Sequence, residues 1–159
     1  MTVDQAFLDT LLDQEQRLVF PSFDNETAIA LGLELVAVGR ERGLPITVDV
    51  TRVGQQLFHA ALPGTVPDND EWVNRKTALV YRFGHSSFYM GRSSVMAGKP
   101  FHERFLVDPL QYAAHGGSFP IRVTGVGLVG TVTVSGLPQA DDHALVVEVL
   151  ERFIPARFG

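Results

Sequence analysis

Any chemistry in this chain rests on histidines, cations and backbone amides. The 159 residues include no cysteine, which removes disulfides, thiolate metal sites and cysteine nucleophiles together. His59, His85, His102, His115 and His143 share no metal-ligand spacing, so no metal site and no catalytic set is assigned from them. Three segments still hold residues that packing alone does not require. The first contains Trp72, Arg75 and Lys76. On a helix, Trp72, Lys76, Leu79, Val80 and Phe83 fall on one apolar stripe, with Arg75 at its edge. Two cations on a face that should be buried have two readings. Either they snorkel or pair with a buried carboxylate such as Asp49, or they wall a pocket for an anionic ligand above the apolar floor of Trp72.

The second segment is His115-Gly116-Gly117-Ser118-Phe119-Pro120. Paired glycines expose backbone N–H groups and admit a ligand or another subunit to close range. A histidine beside them can donate, act as a base or ligate a metal. The alternative is a tight turn feeding a strand. The third runs from Val134 and Ser135 to Asp142-His143. A protonated His143 in the first turn of a helix would oppose the helix dipole, so it is expected neutral or paired with an acid. The plainer reading is a capping segment.

Several familiar motifs begin here and fail. Gly125-Val-Gly127-Leu-Val-Gly130 spells the dinucleotide fingerprint, but that motif needs a helix to start at its end. The next residues, Thr131-Val-Thr-Val134, alternate and are β-branched, so the glycines belong to a hairpin. His102-Glu103 lacks the second histidine of a zinc-protease helix, where Leu106 stands. Gly91-Arg-Ser93 lacks the closing glycine of a nucleophile elbow, where Val95 stands.

The elements that must position these residues follow from periodicity. Residues 4–19 repeat apolar positions at helical spacing. A second helix runs from a cap at Asp24 or Asn25 to Arg42, with Gly43 as its stop. Its Gly32 and Gly39 lie on one side and imply close packing. Strands are expected over 46–51 and 57–62, and helices over 71–83 and 87–97. A less regular stretch, 101–119, precedes a hairpin over 120–136. A last helix starts after Pro138 and is expected to stop at Pro155.

Composition bounds the class. Length fits one domain, 1–159, and 45% hydrophobic residues suffice for a core. A net charge of −5 argues against nucleic acid, which needs a basic surface. No apolar run approaches a membrane span, and no basic, apolar leader opens the chain, so a cytoplasmic protein is expected. The sequon Asn25-Glu-Thr27 matters only in an exported protein.

Taken in order, Asp68-Asn69-x-x-Trp72-x-x-Arg75-Lys76, Ser86-Ser87, His115-Gly-Gly-x-Phe-Pro-Ile121, Gly130-x-Val-x-Val-Ser-Gly136 and Asp142-His143 resemble a stand-alone branch of the haem-degrading-domain superfamily, which holds GlcG-like and HbpS-like proteins. The resemblance runs from the second helix to the last. It implies an α/β (α+β) profilin-like fold, an antiparallel sheet of about five strands with helices packed on both faces. It also implies a homo-oligomer with pockets near subunit contacts. Haem enters as a cofactor through the resemblance alone. The ligand-binding residues expected on this basis, together with the three segments above, are Trp72, Arg75, Lys76, His115, Gly116, Gly117, Phe119, Ser135 and His143. Three functions compete: a protein binding haem or another small anionic metabolite, an oligomeric scaffold without catalysis, and an enzyme using His115 or His143 as acid–base.

Overall fold

The computed structural model describes residues 2–159. In chain order it contains α1 (Gln5–Arg17), α2 (Asn25–Arg42), β1 (Thr47–Arg52), β2 (Gln55–Ala61), α3 (Pro67–Phe83), α4 (Ser87–Ala97), α5 (Phe101–Phe105), β3 (Ser118–Val123), β4 (Gly127–Ser135) and α6 (Gln139–Phe158). The strands form one antiparallel sheet in the order β2-β1-β4-β3. The sheet has four strands among the described residues rather than about five. The stretch before β3 folds into α5 and loop, and Phe20 adds only a single bridge to Val123.

β1 and β4 show why the sheet has two different faces. Both alternate hydroxyl or carboxylate residues with valine, and successive side chains of a strand point to opposite sides. Their register sets Thr47 opposite Ser135, Val48 opposite Val134, Asp49 opposite Thr133 and Val50 opposite Val132. Like therefore meets like, and a slip of one residue would set every pair wrong. The valines, with Phe119 and Ile121 of β3, join Leu31, Leu35, Val146 and Leu150 of α2 and α6 in the main core. Full burial of each such side chain favours the fold by roughly 1.5–3 kcal/mol. Gly32 of α2 has the ring of Phe58 where a β-carbon would sit, which is the close packing expected there.

The opposite face is polar and yet buried. Thr47, Asp49, Thr51, Ser118, Thr131, Thr133 and Ser135 are all at most 9% exposed. α3 lies over it, with Thr77 and Thr133 hydroxyls 3.2 Å apart. Helices thus cover both faces, as expected for a profilin-like sheet.

α6 runs past Pro155 to Phe158 instead of stopping there. The hydrogen bond that Pro155 cannot donate belongs to the last turn, beside exposed Glu151, where water can replace it. The glycine run after β3 forms the β3–β4 turn, with Gly125 and Gly127 at positive φ, which settles the failed fingerprint in favour of a hairpin.

Candidate functional site

Three elements and the turn before β3 converge at one end of the polar face. α3 begins at Pro67, and Asn69 Oδ1 accepts the Val66 N–H at 2.8 Å, holding the first turn closed. Asn69, Trp72 and Lys76 then follow at three- and four-residue steps, on one side of the helix. The end of β4 brings Ser135 and Gly136, the first turn of α6 brings Gln139 and Asp142, and the turn before β3 brings His115 and Gly116. Together they line a polar recess of about 250 Å³.

Lys76 forms its floor. Only 2% of the residue is exposed, and its ammonium has three acceptors: Val134 O at 2.7 Å, Gly116 O at 2.9 Å and Asp142 Oδ2 at 3.4 Å. Burial pulls its pKa down, opposed by Asp142. Burial pushes the Asp142 carboxyl up to about 6, opposed by Lys76 and by the Leu137 N–H, which its Oδ1 accepts at 3.0 Å. The buried cation therefore finds its carboxylate in Asp142, not in Asp49. Asp49 is engaged elsewhere, by Gln56 Nε2 at 2.7 Å, Thr51 Oγ1 at 2.8 Å and His59 Nδ1 at 3.1 Å. Gly117 makes the floor possible. A β-carbon there would overlap the Val134 carbonyl and the Lys76 ammonium, and its φ of +136° excludes most other residues.

His115 stands at the rim. Its ring stacks on Trp72 with centroids 5.0 Å apart, and the Arg75 guanidinium lies 4.3 Å from the Trp72 ring. The side chain is exposed, and among the described residues neither ring nitrogen has a protein hydrogen-bond partner. Partial burial, then Lys76, Arg92, Arg75 and His102, lower its pKa, so the imidazole is neutral at pH 7. His115 also borders a second, less polar cleft of about 400 Å³ with Val95, Lys99, Pro100, Phe101 and His102 among its walls. Arg92, one of the cations bearing on His115, has no carboxylate partner among the described residues, and its buried Nε has no acceptor.

The structure gathers Trp72, Lys76, His115, Gly116 and Ser135 in the recess and sets Gly117 directly beneath it. Arg75 lies outside, against Trp72. Phe119 is wholly buried in the main core. His143 is buried on the other side of α6, with Nε2 2.7 Å from Gln14 Oε1 and its ring against Phe88. Burial lowers its pKa to about 4, so it is neutral, as its place near the helix start demanded. Gln139 and Asn69 are pocket residues that periodicity did not mark. Both sit in the first turn of a helix, where a side-chain oxygen can meet a loose N–H, and Asn69 also belongs to the pattern that carries the family resemblance. Glu15 shares the register of the apolar face of α1 and is a buried carboxylate. It accepts from Ser86 N at 3.2 Å and contacts His85 Nδ1 at 3.0 Å, tying α1 to the α3–α4 turn.

Residues 23–151 match the family described as haem degrading protein HbpS-like. The chain belongs to the HbpS-like family. A UPF0303 protein of Streptomyces coelicolor is 58% identical to this HbpS-like chain over 144 residues, covering 91% of each. A UPF0303 protein of Edwardsiella ictaluri is 46% identical over 154 residues, covering 97% of this chain and 98% of its own. The crystal structure of Ybr137w protein has a TM-score of 0.90 at 33% identity, over 98% of this chain and 92% of its own. The PduOC:heme complex has a TM-score of 0.66 at 17% identity, over 84% and 94%, and shares the fold. α1, with Gln14 and Glu15, precedes the part of the chain that matches the HbpS-like family.

Proposed function

We propose that this protein binds an anionic, planar ligand of the tetrapyrrole class at His115, haem being the first to test. The observation that carries the reading is a neutral imidazole with both nitrogens free, set at the seam of two recesses near Arg75, Arg92 and Lys99, which have no acidic partner among the described residues. A histidine ligates haem iron through a neutral imidazole nitrogen of this kind, and His115 would hold it. Phe101, Pro100 and Val95 would face the macrocycle, and Arg92 and Lys99 would meet its carboxylates. Trp72 and Arg75 stack behind His115 and fix its ring. Lys76, Gly116, Gly117 and Ser135 build the floor beside it, while Phe119 and His143, packed in the interior, lie outside it. Bound haem would supply a redox-active iron. The family's description as haem degrading and a fold-mate solved with haem favour this ligand over other planar anions. Fold likeness alone would not suffice.

The test uses the chain's only tryptophan, Trp72, which stacks on His115. Haem added to the protein should quench Trp72 emission with saturation. Emission that falls only as much as that of free tryptophan at the same haem concentration would refute the reading.

Assembly with copies of the same chain belongs to the same proposal. Val53 and Val126, at the tips of the two hairpins, are 80% and 72% exposed, beside a hollow of about 500 Å³ lined by both apolar residues such as Phe23 and Val129 and polar ones such as Arg52 and Gln55. Exposed apolar patches of this kind mark contact surfaces. Val53→Asp with Val126→Asp should lower the mass seen in sedimentation. A monomeric wild-type chain would end the idea.

A further inference from the structure

The polar recess has a hydrogen-bonding imbalance that points to a ligand of its own. Both amides in it have their carbonyls committed. Asn69 Oδ1 accepts the Val66 N–H at 2.8 Å, and Gln139 Oε1 accepts the Gly116 N–H at 3.1 Å. Each therefore has its NH2 to spare, and that of Asn69 reaches only a long 3.5 Å contact with Ser135 Oγ. The Trp72 indole N–H has no protein acceptor among the described residues. The acceptors nearby are spent. Asp142 takes the Leu137 N–H and Lys76, while the Gly116 and Val134 carbonyls also take Lys76. Beside the recess, Thr47 stands opposite Ser135 in the sheet, is 1% exposed, and has a hydroxyl with no partner. A buried hydroxyl left this way is uncommon in native proteins, while the half-buried Asn69, Gln139 and Trp72 side chains line the recess itself.

We infer that this recess binds a compact organic acid through its carboxylate, independently of any tetrapyrrole. A ligand that fits must bring acceptors, because the walls offer donors. A carboxylate brings two oxygens with about four lone-pair directions and suits a pair of NH2 groups and an indole N–H. The local charge agrees, since Lys76 is offset by Asp142 while Arg92 and Arg75, which also bear on His115 at the rim, have no acidic partner among the described residues. The size agrees as well. About 250 Å³ lies below the roughly 300–1,000 Å³ of sites for drug-sized molecules, so the occupant is small. The inference uses the same His115–Trp72 site as the tetrapyrrole reading but does not need that reading to hold.

The amides also supply a clean test. Asn69→Asp and Gln139→Glu each keep the oxygen that accepts the Val66 or Gly116 N–H, and each sets an acid in the first turn of a helix, where the dipole favours it. Both variants should fold with a melting temperature at or above that of the wild type, and both turn a donor into a repelling acceptor. Malonate, added without haem, should raise the wild-type melting temperature and change Trp72 emission. Each variant should bind it at least about tenfold more weakly. Three results would overturn the inference: no wild-type response to malonate on the order of 10 mM, an equal response to neutral malonamide, or wild-type affinity in both variants. Because haem is absent from these measurements, a failure here is separate from a failure of the tetrapyrrole reading.

Discussion

Asp142 and His143 are neighbours on α6 with opposite responses to acid, and separating them is a demanding check on the buried polar layer. His143 is neutral in the fold, its pKa lowered to about 4 by burial, whereas an exposed histidine titrates near 6.5. Between those values the unfolded chain takes up a proton that the fold refuses. Stability from His143 is therefore present above pH 6.5 and is lost as pH falls toward 4. Asp142 behaves in reverse. Its folded carboxyl holds a proton up to about pH 6, while the unfolded one releases it near 3.9. Its contribution is full in acid and is lost as pH rises through 6. At roughly 1.4 kcal/mol per pH unit, each effect amounts to about 3 kcal/mol at most, so in the wild type they nearly cancel between pH 4 and 6.5. His143→Gln, which keeps a donor for Gln14, removes one side of the balance. Urea unfolding of wild type and variant should show the variant gaining up to about 3 kcal/mol on the wild type from pH 6.5 to pH 4. Asp142→Asn should show the opposite trend. A difference between His143→Gln and wild type that stays flat across this range would refute the claim that His143 is buried and neutral.

Two further substitutions probe the frame of the site. Glu15→Ala strands the buried Ser86 N–H and the His85 contact, and should cost about 2–3 kcal/mol in urea unfolding; a cost near zero would mean that α1 is not anchored through Glu15. Gly117→Ala forces a β-carbon against the Val134 carbonyl and the Lys76 ammonium at a φ of +136°. It should cost upwards of about 2 kcal/mol and lower the melting temperature by several degrees, and an unchanged melting curve would show that the turn is built differently.

The hairpin, the helix faces and the three site segments were legible because each depends on local pattern. Alternation in Thr131-Val-Thr-Val134 gives a strand wherever it occurs, and the Trp72–Lys76 spacing gives a helical face by itself. Partners distant in sequence were not legible. Lys76 meets Asp142 across 66 positions, and no local rule prefers Asp142 to Asp49. Phe119 and Ser118 are adjacent, but β-strand alternation sends Phe119 into the core, away from the recess. Pro155 looked like a stop because a mid-helix proline would be one, whereas in an exposed last turn it removes little. The strand count fell from about five to four because the expectation came from family likeness, and 101–117 has no alternating run to supply another strand.

We propose His115 as a free, neutral donor at a ligand site. Absorbance titration with haem of the wild type and of His115→Ala tests it most directly. The Soret band should shift saturably in the wild type, and that shift should be lost or clearly displaced in His115→Ala. A wild-type spectrum identical to free haem, or a His115→Ala titration indistinguishable from the wild type, would contradict it.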